Sequence, residues 1–290
     1  MKKTFSWKKA AVIGLSTAML LGTTGTSAFA GNTNMAASVE VKTVAGATIK
    51  AMSIAYETKT VNRETSAKTE DAAEGQEREI GESEIDSYFK DSVIVGDSIM
   101  LGYRNYCMKS NDPFLRSLSF LASGSFSVHN ALWPVNDKSV HPIYQGAQRP
   151  VWESISMMGA KKVFMFFGLN DLNMGDDTCE LYQQVIGNIK ELSPDAEIHV
   201  IAMTYTLKGK GKGKLNNNNI RAFNVQLKGL AEENGWGFID MATPLSDANG
   251  DLAAEYCSDD YVHQSRAAYQ VWTNVLRQYA KDQLKDLSAS

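Results

Sequence analysis

From about Ser83 to the C-terminus the chain alternates between apolar runs of four to seven residues and longer stretches with apolar positions at helical spacing. That texture predicts parallel strands joined by helices. The runs Ser92 to Gly96, Leu118 to Ala122, Lys162 to Gly168, Glu197 to Met203 and Gly237 to Asp240 are the expected strands. Phe164, Met165, Phe166 and Phe167 are consecutive, as in a central strand covered on both faces. Helices are expected over Asp177 to Leu192, Asn216 to Asn234 and Gln264 to Leu284. In the last, Ala268, Val271, Trp272 and Val275 recur every three or four residues, which makes Trp272 a core residue.

The first eighty residues have a different character. Lys2, Lys3, Lys8 and Lys9 precede an apolar stretch from Ala10 to Leu21, and small residues follow up to Ala28-Phe29-Ala30. This is the pattern of a secretory signal cleaved after Ala30, and it is too short to span a bilayer. From Gly31 to about Glu82 the chain is rich in Thr, Ala, Glu and Lys, with Tyr56 its only aromatic residue. Such a stretch cannot bury enough apolar surface to offset its ordering entropy, so residues 31–82 are expected to be a disordered spacer, with Val39-Glu40-Val41 as a possible strand. One domain, residues 83–286, remains.

Charge narrows the partners. The formal net charge is −4, and the first thirty residues contribute four lysines and no acid, so the mature chain is more acidic still. A net-acidic protein gains no long-range attraction to nucleic acid or an anionic membrane. Neither partner is expected, nor is membrane insertion after signal cleavage. Cys107, Cys179 and Cys257 are too few for a disulfide framework, and His129, His141, His199 and His263 are scattered without metal spacing, so no metal or other cofactor is expected.

Three strand ends carry candidate chemistry. The first reads Val95-Gly96-Asp97-Ser98-Ile99-Met100 and places a serine where a buried strand turns into a helix. The hydroxyl would project at the carboxyl edge of the sheet, where open α/β folds bind ligands, although a plain helix N-cap by Asp97 or Ser98 has the same appearance. Met100 rules out the Gly-x-Ser-x-Gly elbow. The second strand runs into Ala122-Ser123-Gly124-Ser125, and the third into Gly168-Leu169-Asn170-Asp171. There the Asn amide could donate to a developing oxyanion, or simply form a turn. Before the last helix, Asp260 stands three residues ahead of His263, with Asp259 beside it. A carboxylate so placed can orient an imidazole that deprotonates a serine.

Taken in order, Gly96-Asp97-Ser98-Ile99, Gly124, Gly168-x-Asn170-Asp171 and Asp260-x-x-His263 resemble the four blocks of the GDSL/SGNH hydrolases over roughly residues 85 to 285, with Ile99 in place of the leucine of the family's name. The resemblance implies a flavodoxin-like three-layer α/β/α fold with a central parallel sheet of about five strands. It implies Ser98 as nucleophile, His263 as base and Asp260 as its orienting acid. The oxyanion hole would be the backbone N–H groups of Ser98 and Gly124 with the Asn170 amide.

The implied activity is a cofactor-free serine esterase. Secretion and acidity favour short acyl groups, above all acetyl, on carbohydrate. Acetyl transfer to a sugar, lipid hydrolysis, and a wall-binding module with a vestigial triad are the competing readings, and lysine-rich signals of this kind resemble those of Gram-positive bacteria. Trp133 and Tyr144, within Ala131 to Pro150, are candidate sugar contacts. Lys210 and Lys212 belong to the run Lys208-Gly209-Lys210-Gly211-Lys212-Gly213-Lys214, which is either a solvated mobile loop or a basic patch for an anionic glycan.

Overall fold

A computed structural model describes residues 78–289, so the expected signal, its cleavage point and the strand at Val39 lie outside the described residues. Helix α1 (Glu82–Tyr88) leads into β1 (Ser92–Gly96), α2 (Ser98–Met108), α3 (Pro113–Ser117), β2 (Phe120–Ala122) and α4 (Val128–Ala131). A small hairpin, β3 (Ile143–Tyr144) and β4 (Ala147–Gln148), precedes α5 (Val151–Met158), β5 (Lys162–Phe166), α6 (Thr178–Leu192) and β6 (Glu197–Ile201). The chain then runs through α7 (Asn217–Asn234), β7 (Gly237–Ile239) and α8 (Arg266–Ala289).

The five long-sheet strands are all parallel, in the order β2-β1-β5-β6-β7. This is the doubly wound flavodoxin-like arrangement, whose direction of winding reverses between β1 and β5. Helices α1, α2 and α8 pack together on one face and α5, α6 and α7 on the other, giving three layers. Every residue of β1 is buried, as are Val163 to Phe166 of β5, which accounts for their unbroken apolar runs. Trp272 is fully buried against Phe166, and its indole N–H donates to Gln264.

Burial begins at Ile80, just ahead of the expected domain start at 83. Ile80, Ile85, Tyr88 and Phe89 are buried in the core, and Arg277 of α8 forms ion pairs with Glu82 and Asp86. Among the described residues no helix is long and apolar enough to cross a membrane.

Candidate active site

The parallel register brings three loops to one edge. Gly96 at the end of β1 pairs with Ala122 of β2 on one side and Phe166 of β5 on the other. The segments beginning at Asp97, Ser123 and Phe167 therefore leave the sheet side by side, at the point where the winding reverses. Only glycine fits at position 96: a Cβ there would lie 2.5 Å from Met100 Cγ and 2.6 Å from the Phe166 carbonyl oxygen.

Asp97, not Ser98, caps α2, with Oδ1 accepting from the Ile99 N–H at 2.8 Å. Ser98 is thereby the first residue of the helix, where a backbone N–H has no partner within the helix. Its side chain is free to turn outward, and Oγ lies 3.0 Å from His263 Nε2. Asp97 is fully buried, and that burial, with the Asp171 charge adding to it, pushes its carboxyl up to about 7 against the lowering effect of its backbone hydrogen bonds.

His263 lies in a loop pinned at both ends. Ser258 N donates to the His263 carbonyl at 2.8 Å, and buried Gln264 donates from Nε2 to Thr204 Oγ1 at 2.9 Å. Within the loop the histidine's partner is Asp259, whose Oδ2 is 2.5 Å from His263 Nδ1. The other oxygen, Oδ1, accepts from the backbone N–H groups of Tyr261, Val262 and His263 at 2.9 to 3.0 Å. Partial burial alone would raise this carboxyl, but the histidine and the three N–H groups outweigh it and hold Asp259 at about 2. An acceptor that stays ionised fixes the tautomer with the proton on Nδ1, leaving Nε2 to accept from the Ser98 hydroxyl.

The sequence-based assignment of the acid is corrected here: Asp260 does not reach the histidine. Its backbone is left-handed, with φ 58°, which swings the side chain out of the turn. There Oδ2 accepts from Lys210 Nζ at 2.5 Å, with the side chain 75% exposed. The sequence spacing alone could not reveal this, because a positive φ at a non-glycine residue leaves no signal in an Asp-Asp pair.

Asn170 sits in a turn that Asp171 holds. The buried Asp171 accepts from the Gly168 N–H at 2.9 Å and from His129 Nδ1 at 2.8 Å, and His129 in turn approaches Asp177 at 3.2 Å. Hydrogen bonding to Asp171 outweighs burial and raises the His129 pKa, with Asp177 adding to the effect. Gly168 adopts φ 125°, and a Cβ there would lie 2.8 Å from Met203 Sδ. So fixed, the Asn170 amide faces Phe126 O at 3.3 Å and Asp97 Oδ2 at 3.4 Å. Gly124 follows Ser123, whose N–H donates to the Gly96 carbonyl at 3.2 Å, and the space where its side chain would be is open. His129 is a support that the motif reading did not single out, because it stands 42 residues from the Asp171 that it holds.

The four substrate candidates fall in two places. Trp133 is 57% exposed, and Tyr144 is half-buried in the hairpin, where its carbonyl accepts from Arg149. On the other side the lysine run is a folded element tied to its surroundings. Lys210 pairs with Asp260, Lys214 with Asp176 at 2.7 Å, and Lys212 Nζ lies 4.0 Å above the Tyr261 ring. The three cysteines are free thiols.

Residues 94–271 match the GDSL-like Lipase/Acylhydrolase family. Among solved structures, a candidate acylhydrolase from Bacteroides fragilis is 18% identical, with a TM-score of 0.50 over 67% of this chain and 87% of that one. A candidate platelet activating factor from Streptococcus pneumonia is 20% identical, with a TM-score of 0.50 over 69% and 92%. A GDSL-like lipase from Bacteroides thetaiotaomicron is 15% identical, with a TM-score of 0.49 over 67% and 89%. No curated protein sequence matches the chain. The fold, the order of its blocks and the family match lead to one conclusion: this chain belongs to the GDSL-like lipase/acylhydrolase family and is a serine ester hydrolase.

Proposed function

We infer that the protein is a secreted esterase that removes short acyl groups, foremost acetyl, from carbohydrate, using Ser98, His263 and Asp259. The observation that carries the reading is the unbroken relay from Ser98 Oγ to His263 Nε2 at 3.0 Å and from His263 Nδ1 to Asp259 at 2.5 Å. In the first half-reaction His263 takes the serine proton as Oγ attacks the ester carbonyl. The resulting imidazolium is stabilised by ionised Asp259 and returns the proton to the departing sugar hydroxyl. In the second half-reaction His263 activates water, which releases the acid from the acyl-serine.

The oxyanion is served by groups that converge on the same edge of the sheet: the Ser98 N–H at the start of α2, the Gly124 N–H and the Asn170 amide. The first lies at the positive end of a helix of eleven residues, which adds to the stabilisation of negative charge. Two features support a carbohydrate substrate: the N-terminal secretion pattern, and a cavity against the nucleophile's helix whose lining includes Arg104, Ser123 and Gln148.

The test is cleavage of acetyl, butyryl and octanoyl aryl esters by the purified protein, followed by acetate release from O-acetylated xylan and peptidoglycan. Acetyl preference with release from either polymer is expected, with both activities abolished by Ser98→Ala. An octanoyl preference would shift the assignment to a lipolytic enzyme, and acetate that appears only on an added sugar acceptor would make it a transferase. Detection of a mature protein beginning at Gly31 in the culture medium tests secretion.

A further inference from the structure

Beside the nucleophile helix lies a cavity of about 430 Å³ that the acyl-transfer steps leave unused. Helix α2 forms one wall through Leu101 and Arg104, the end of β2 a second through Phe120 and Ser123, and the hairpin segment a third through His141 and Ile143. Ser123 directly precedes Gly124, so the cavity adjoins the oxyanion loop. Arg104 stands six residues beyond Ser98 in α2, about 9 Å along the helix axis, roughly the span of one or two sugar rings.

One charged group in these walls lacks a partner, and one histidine is only half satisfied. Arg104 is half-buried, and its guanidinium forms no hydrogen bond or ion pair with any described residue. His141 is 1% exposed and donates from Nε2 to the Trp133 carbonyl at 3.1 Å. That bond fixes the proton on Nε2 and leaves Nδ1 a bare acceptor, buried without a hydrogen bond. That nitrogen is sealed inside the wall, so recognition in the cavity falls to Arg104. An arginine fork suits a carboxylate in bidentate fashion. In the same cavity Leu101, Phe120 and the 69% exposed Ile143 offer apolar surface to the C–H face of a ring.

We propose that this cavity is a subsite for an acidic sugar, in which Arg104 pairs with the sugar's carboxylate while Leu101, Phe120 and Ile143 pack against its ring. The proposal rests on the reading that Ser98 deacylates carbohydrate, and it narrows the substrate to an acylated glycan containing uronic-acid-type residues. The cation that recognises the anion is thus on α2, not in the lysine run, where Lys210 and Lys214 are already paired with acids. Phosphate would meet the guanidinium equally well, but a bare phosphate supplies no ring to cover the apolar wall.

Binding is read by calorimetry on Ser98→Ala protein, with an acetylated oligogalacturonide, a neutral acetylated xylo-oligosaccharide of equal length, and glycerol phosphate as probes. The acidic oligosaccharide should bind at least about tenfold tighter than either alternative. Added Arg104→Gln should erase that margin and Arg104→Lys restore part of it. In catalytically intact protein, Arg104→Gln should lower the ratio of kcat/KM on acidic over neutral substrate about ten- to a hundredfold, chiefly through KM. Equal affinity for the two oligosaccharides, tighter binding of glycerol phosphate, or an equal loss on both substrates would overturn the subsite. Arg104-dependent binding without hydrolysis of any ester would uphold the subsite and refute the esterase reading. Hydrolysis without acidic preference would do the reverse.

Discussion

Lys210 Nζ meets Asp260 Oδ2 at 2.5 Å on the outer side of a loop whose inner side presents Asp259 to His263. Two adjacent aspartates therefore have opposite surroundings. Asp259→Asn, by removing the charge that holds the histidine tautomer, should lower kcat on an aryl acetate by about a hundredfold or more. Asp260→Asn breaks only an exposed ion pair, so it should stay within about threefold of wild type. Steady-state kinetics on the two variants decide the assignment, and the reverse ranking would return the role to Asp260.

Asn170→Ala should slow catalysis strongly while leaving the fold intact. Its amide is half-exposed and makes only long bonds, of 3.3 and 3.4 Å, within the protein. Loss of an oxyanion donor costs about 2.7 to 4 kcal/mol of barrier, a drop of roughly a hundred- to a thousandfold in kcat. A thermal melt run beside the kinetics separates the two effects, since a large fall in Tm with modest loss of kcat would make Asn170 a structural residue instead.

The pH dependence of stability should carry a contribution from His199. This side chain stacks on Phe164 with ring centres 4.6 Å apart and bonds Tyr279 through Nδ1 at 2.9 Å. Burial, with a smaller effect from Lys162, lowers its pKa from 6.5 to about 4. The unfolded chain binds a proton below about 6.5 while the folded protein resists it, so the contribution is fully present above 6.5 and lost as the pH falls towards 4. Melting curves of wild type and His199→Asn should converge by on the order of 3 kcal/mol across that interval. A constant difference at all pH values would show that folding leaves the affinity of His199 for its proton unchanged.

Truncation should find the true start of the domain. A protein beginning at Arg78 retains Ile80 and all of α1 and should keep full activity. One beginning at Lys90 loses the buried side chains of Ile80, Ile85, Tyr88 and Phe89, each worth about 1.5 to 3 kcal/mol, and strips Arg277 of both its acids. It should melt far lower or fail to accumulate as soluble protein. Equal melting temperatures for the two would mean that α1 is an appendage.

How much of this was legible in the sequence depends on the length scale involved. Strands such as Val93-Ile94-Val95 announce themselves because covering both faces demands unbroken apolar runs, and α6, α7 and α8 are long enough to repeat their spacing. Helix α4 spans four residues and strands β3 and β4 two each, too short for any period to emerge. The meeting of Ser98 with His263 was legible from their positions at strand and helix ends. The choice between Asp259 and Asp260 turned on one backbone angle. The lysine run looked mobile or generally basic because its anchors, Asp260 and Asp176, lie far from it in sequence. Arg104 was invisible for a related reason: a lone arginine in a helix gains meaning only from what does not pair with it.

The hairpin of β3 and β4 lies within the connection from β2 to β5, whereas the histidine loop hangs from the opposite half of the sheet. One wall of the cavity beside α2, through His141 and Ile143, is thus carried on a stretch of chain apart from the loop that presents His263. Residues 131–150 could be lengthened, shortened or exchanged between relatives without moving the strand ends that hold Ser98 and Asn170. Such an arrangement lets substrate preference drift through insertions and deletions while the reaction itself is inherited unchanged, so length variation in this one connection should be the first place to look when two members of the family act on different esters.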